Sequence, residues 1–303
     1  MTQERLLQMV TSVLITAGFD ISERCDIRPR SFDLVARKAD MLLIIKVISH
    51  IDSISEEIAS DLRFVALYLK GIPLIVGERT RDAELERGAV YIRYGVNALS
   101  ISTLYDYLVE GNPPLVYASP GGLYVNINGE QLRALRERHQ ISLGEMASIL
   151  GVSRRTISKY ESGMGTTLDI AIKIEEHFDR PIVEAIDPLA YDDLQAMHPS
   201  SATEPLPMDL ARIGLELHPT HRAPFQAFAL YEHETILTGY GTTQKVVRRA
   251  ALIGNLSEIT NTRAMCVITD YKKKKRVGKT LIIGEERLHS LDSGSELMEL
   301  IDE

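Results

Sequence analysis

Cysteine is scarce: Cys25 and Cys266 are the only two in 303 residues, and they form no CxxC pair. That removes a disulfide framework and a thiolate metal site from consideration. Long apolar runs are missing too, none approaching the roughly 20 residues of a membrane span. The opening MTQERLLQMV carries charge where a secretory signal would be greasy. A cytoplasmic protein without membrane contact is expected. No GxSxG elbow exposes a serine nucleophile, and GGLYVNING lacks the spacing of a phosphate-binding glycine loop. His218 and His221 suit neither a helical metal pair nor a finger, so a satisfied turn beside Pro219 and Pro224 is expected. None of these features calls for a cofactor or a metal.

A surplus of positive charge is also lacking. With 34 Lys and Arg against 42 Asp and Glu, the net charge is −8, which argues against nucleic acid until the charge is localised. Between Gln131 and Gly163 the balance reverses. Six cations (Arg133, Arg136, Arg138, Arg154, Arg155, Lys159) stand there against three acids (Glu137, Glu145, Glu161). Such an asymmetry is what docking on phosphates requires. The apolar fraction of 45% and charged fraction of 25% are those of an ordinary globular protein, and the length allows two or three domains.

The basic stretch has a distinct grammar. Leu143, Met146, Ala147 and Leu150 fall on one helical face. Ser142 and Glu145 are spaced as a capping box, and Gly151 stands where the helix must end with positive φ. Ser153 caps a second helix in which Ile157 and Tyr160 point inward. Arg154, Arg155, Thr156, Ser158 and Lys159 are left for solvent or a partner. Ala147 supplies the small residue needed where the two helices cross. In its spacing to Gly151, Ile157 and Tyr160, the segment from Leu132 to Phe178 resembles the DNA-binding domain of the Cro/phage-repressor (XRE) family. A preceding helix (Leu132 and Leu135 inward) and a following one (Leu168, Ile170, Ala171, Ile174, Phe178) fit that likeness. Where the family usually has a phosphate-contacting Gln at the start of its second helix, this chain has Leu143.

Along the chain, helices alternate with apolar strands. Helices are expected over Glu4–Ala17, 54–69 and Ser102–Val109, and strands over Phe19–Cys25, Phe32–Val35, Met41–Ile48, IPLIVG and Val90–Tyr94. This texture predicts an α/β domain. PPLVYASPGGLYVNIN predicts a β-hairpin around Pro120, Gly121 and Gly122, and a small fifth helix is expected near Ile182–Ile186. The run KKKKR, from Lys272 to Arg276, is expected as a solvated hairpin loop.

The last hundred residues repeat the first. Phe32-Asp33 answers Phe225-Gln226, Ala36 answers Ala229, Gly18-Phe19 answers Gly214-Leu215, and PLIVGE answers AMCVIT. In the first copy, FDLVARKADMLLIIKV resembles a PD-(D/E)xK nuclease core, with Asp33 as the first acid and Lys46 as the lysine. The position two before Lys46 is Ile44 rather than an acid, and the second copy has Gln226, Leu237 and Gly239. Two carboxylates are needed to hold the divalent ion of such a site, so its chemistry is expected to be absent.

The expected fold is α+β and multidomain: two related α/β units, restriction-endonuclease-like and catalytically degenerate, flanking an all-α lambda-repressor-like helix-turn-helix. The boundaries are 1–112, a hairpin connection 113–128, the helix-turn-helix 129–187, a proline-rich linker 188–206, and 207–303. The whole chain resembles a family of archaeal HTH-type transcriptional regulators. What the resemblance implies is a non-enzymatic regulator of transcription that binds double-stranded DNA as a homodimer, reading the major groove with a recognition helix over 153–162. Its candidate DNA-binding residues are Ser142, Ser153, Arg154, Arg155, Thr156, Ser158 and Lys159. The alternatives are a metal-dependent nuclease using Asp33, Lys46 and a migrated Glu56 or Glu57, and a protein whose α/β units sense an effector or a protein partner.

Overall fold

The computed structural model describes residues 2–27, 30–190, 209–269 and 275–303. Thr2 caps α1 (Gln3–Thr16), whose stripe Leu6, Leu7, Val10, Val13 and Leu14 is buried. Then β1 (Asp20–Ile21), β2 (Leu34–Lys38) and β3 (Met41–Val47) run as antiparallel neighbours. After Met41 every residue of β3 is buried, as an apolar run without alternation specifies for a strand covered on both faces.

α2 (Glu56–Leu69) is capped by Ser55 and crosses over to β4 (Ile72–Gly77), parallel to β3. The left-handed residue closing α2 is Lys70, with φ 52°. Gly71 serves another purpose: a Cβ there would lie 3.1 Å from Ile44 Cγ1 and from the Leu42 carbonyl. β5 (Ala89–Arg93), β6 (Val96–Ser100) and α3 (Ile101–Leu108) complete the first unit.

The hairpin β7 (Val116–Ser119) and β8 (Gly122–Ile127) is more than a connection. β7 pairs in parallel with β5 through Ala89↔Val116 and Val90↔Tyr117, which extends the first sheet. The helices α4 (Gly129–Arg138), α5 (Leu143–Leu150) and α6 (Arg154–Glu161) follow. Next come β9 (Thr166–Thr167), paired with β8, α7 (Leu168–Phe178), and β10 (Val183–Glu184), also paired with β8. The expected all-α unit therefore carries strands, and the fifth helix expected at 182–186 is β10. Ile182 and Val183 are β-branched and suit a strand. Their N–H groups donate to Glu175 Oε1 at 2.8 and 3.0 Å, and Val183 pairs with Ile127. Of the apolar residues of α7, Ala171, Ile174 and Phe178 are buried, while Leu168 is 42% exposed.

After β10 the chain returns to the first unit. Asn97 Nδ2 donates to the Pro188 carbonyl, Tyr107 donates to Asp187, and Leu189 is buried in the core beneath α1. The start of the stretch expected as a linker is thus packed on the first sheet, while 191–206 lie outside the described residues. So do 272–274 of the basic run. Its last two residues lie in a strand rather than a loop, and Arg276 donates to the Leu300 and Ile301 carbonyls.

The second α/β unit comprises α8 (Asp209–Arg212), β11 (Glu216–Pro219), β12 (Ala227–Tyr231), β13 (Glu234–Gly241), α9 (Thr243–Thr260), β14 (Arg263–Ile268), β15 (Lys275–Val277), β16 (Thr280–Gly284), α10 (Glu285–His289) and α11 (Gly294–Asp302). Its strand order, β11-β12-β13-β14-β16-β15, reproduces β1-β2-β3-β4-β6-β5, with the same antiparallel and parallel senses. The register agrees to the residue. Leu34 faces Ile45 in one unit, and Ala227 faces Thr238 in the other.

In sequence these units flank the helix-turn-helix; in space they pack on each other. α2 and α9 contribute to one shared apolar core containing Phe64, Val65, Phe225, Phe228 and Ile253. Tyr68 stacks on Phe228 at 5.1 Å, and Arg222 pairs with Asp61 and Glu57. From the other side, Arg37 of β2 donates to the Ile259 and Thr260 carbonyls of α9. His218, expected in a turn, lies on β11. Its Nε2 meets Glu216 at 2.9 Å, and its Nδ1 shares a hydrogen bond with the Tyr68 hydroxyl at 2.7 Å. Tyr68→Phe deletes that bond and keeps the stacking. The expected cost is about 1 kcal/mol in urea denaturation, and an unchanged midpoint would show that the bond contributes nothing.

Candidate nucleic-acid interface

Local chemistry explains the helix-turn-helix. The Glu145 N–H donates to Ser142 Oγ (3.2 Å) while the Ser142 N–H donates to Glu145 Oε2 (2.7 Å), a complete capping box. These bonds hold the Glu145 carboxyl below its usual range. Gly151 ends α5 at φ 70°, and Ser153 Oγ accepts from the Thr156 N–H at 3.1 Å to start α6. Ile157 and Tyr160 are buried against Met146, Ala147 and Leu150. Ser142→Ala removes the cap at α5, and thermal unfolding should register a loss of about 1 kcal/mol. No loss would mean that the cap is redundant.

Among the seven candidate residues, Ser142, Ser153, Arg154, Arg155, Ser158 and Lys159 are exposed, and Thr156 is half-buried. The hydroxyls of Ser153 and Thr156 bond to each other at 2.8 Å, and Ser158 donates to the Arg154 carbonyl. Leu143 is half-buried and packs on the core, which accounts for an apolar residue there.

The local cations divide in a way that composition did not reveal. Arg136 holds Glu161 in a two-point pair, Nε to Oε1 at 2.6 Å and Nη2 to Oε2 at 3.2 Å, and both side chains are about nine-tenths covered. The pair raises the Arg136 pKa further and ties α4 to α6. Arg133 pairs with Glu137. Among the described residues, Arg138 at the end of α4 and Arg154, Arg155 and Lys159 of α6 have no carboxylate partner. Three exposed, unneutralised cations on one capped helix are chemically suited to phosphates and to the acceptor edge of guanine.

The second candidate site surrounds Asp33, which is 1% exposed. Its Oδ1 accepts from Arg30 Nε at 2.5 Å. Its Oδ2 accepts from the Val47 N–H at 2.8 Å and lies 3.4 Å from Lys46 Nζ. Burial pulls the Lys46 ammonium below the usual lysine value, with Asp33 opposing. Ile44, where a second acid would stand, is fully buried. Glu57 is engaged by Arg222, and among the described residues no three His, Cys, Asp or Glu gather as a metal site. This donor set does not fit a divalent ion, because its single carboxylate is already occupied by a guanidinium, an ammonium and a backbone N–H. In the second unit Gln226 Oε1 accepts from the Tyr240 N–H at 2.9 Å. The offset that carries Asp33 to Gln226 also carries Val47 to Tyr240, so the neutral residue keeps the same strand-bridging bond. Arg30 was not foreseen, since nothing in a sequence marks a guanidinium three residues before an aspartate as its partner.

Residues 3–114 match the PD-(D/E)XK superfamily domain, and residues 132–184 match a helix-turn-helix family. The chain is 62% identical to an HTH-type transcriptional regulatory protein of Methanoculleus marisnigri and 63% identical to one of Methanosphaerula palustris, in each case over 100% of both chains. It is 40% identical to one of Halobacterium salinarum over 99% of this chain and 97% of the relative. No solved structure matches. No helix among the described residues is long and apolar enough to cross a membrane.

Proposed function

Because the chain belongs to the family of archaeal HTH-type transcriptional regulatory proteins, we infer that it regulates transcription by laying α6 in the major groove of double-stranded DNA. The observation that carries this reading is the unpaired state of Arg154, Arg155 and Lys159, beside an Arg136 and Arg133 that are neutralised. Arg155, Thr156 and Ser158 are assigned to base edges and Lys159 to phosphate, with Ser142 and Ser153 at the helix starts beside the backbone. A homodimer reads two half-sites. The three units are 1–112, 129–187 and 207–303, with 113–128 tying the second to the first sheet.

The first unit is a nuclease fold without its chemistry, and the third is a duplicate of it. Arg30 and Lys46 on Asp33, Ile44 in place of an acid, and Gln226 in the second copy all support that reading. Guanine N7 methylation blocks the major-groove edge that an arginine reads. Methylation interference should therefore show guanines whose N7 methylation blocks binding, in two half-sites about one helical turn apart. Binding indifferent to N7 methylation would overturn the assignment of α6 to the major groove.

A further inference from the structure

Gly144 lies in the first turn of α5, where glycine weakens a helix and no positive φ requires it. Its reason is spatial. A Cβ added there would lie 3.0 Å from both Nε and Nη2 of Arg154 and 3.2 Å from its Cζ. The guanidinium of Arg154 is therefore drawn sideways from the start of α6 and laid across the start of α5, on the space a side chain at 144 would fill. The major groove is about 12 Å wide and a helix with its side chains about 10–12 Å across, so base edges form the floor and phosphates the walls. A side chain directed from the inserted helix toward the helix beside it meets the wall.

We propose that Arg154 is a phosphate-gripping residue that orients α6 without reading bases, and that the missing side chain at Gly144 lets its guanidinium lie there. This rests on the reading that α6 enters DNA. It places Arg154 with Lys159 among the backbone contacts and leaves Arg155 as the arginine that specifies sequence. The planar fork can donate to two oxygens of one phosphate, a geometry that a lysine cannot reproduce.

The test measures affinity of the full chain for its selected duplex and for a scrambled duplex at several salt concentrations. The variants are Arg154→Ala, Gly144→Ala, their combination, and Arg155→Ala and Lys159→Ala as references. Arg154→Ala should weaken both duplexes by the same factor, on the order of tenfold, and reduce the salt slope by about 0.9, the share of a single neutralised phosphate. Gly144→Ala, which makes the guanidinium give by a few tenths of an ångström, should weaken both duplexes in the same proportion but by a smaller factor than Arg154→Ala, with an equal or higher melting temperature, so unfolding is not an explanation. The combined variant should be no weaker than Arg154→Ala alone. The proposal is overturned if Arg154→Ala weakens only the selected duplex, or if Gly144→Ala binds as wild type does. If none of the variants, Arg155→Ala and Lys159→Ala included, changes binding, the major-groove reading itself fails.

Discussion

Replacing Arg154, Arg155 and Lys159 together by alanine should lower affinity for the selected DNA by at least about a thousandfold near physiological salt. Every phosphate left without its cation keeps its condensed counterions, and removing a bidentate arginine from guanine costs roughly a further tenfold to hundredfold. Fold is expected to survive. All three side chains are exposed, have no carboxylate partner among the described residues, and follow a cap made by Ser153 rather than by themselves. Alanine also favours the helix. Circular dichroism beside a binding titration separates the two effects. A triple variant that folds and still binds like wild type would remove α6 from the interface.

The second large effect concerns stability. Asp33→Ala should destabilise the protein by roughly 3–5 kcal/mol, because it strands Arg30 and Lys46, each with a side chain only 9% exposed, without their shared carboxylate. It also orphans the buried Val47 N–H. In a metal site Asp33→Ala would cost activity and often leave stability intact; here it should cost stability while the folded fraction keeps its DNA affinity. Magnesium should not shift the wild-type melting temperature, since an ion that does not bind the native state contributes nothing to it. A stable Asp33→Ala protein, or a wild-type midpoint raised by millimolar magnesium, would show that this site still belongs to a metal.

The parts legible in the sequence were those written locally. The capping box at Ser142 and Glu145, the left-handed Gly151 and the inward Ile157 and Tyr160 all follow from spacings within one or two helical turns. The repeat was legible because equal topology leaves equal patterns, down to the matching of Asp33 by Gln226. What stayed hidden depends on residues far apart in the chain. Tyr68 and His218 are joined across the two units, and Arg222 reaches Asp61; neither pair leaves a periodic trace. The helix expected at 182–186 is a strand because Ile127 and Glu175 supply partners that local propensity does not contain. Gly144 was silent for a different reason. Its glycine serves a neighbouring side chain rather than the backbone, and only the position of Arg154 reveals it.

The central claim is that this chain recognises a DNA sequence and leaves the DNA intact. Selection of bound duplexes from a random pool, run in parallel with magnesium and with a chelator, tests it most directly. The account predicts enrichment of the same motif in both arms, two half-sites containing guanine, with every recovered strand full length. Cleaved strands in the magnesium arm, or no enrichment in either arm, would contradict it.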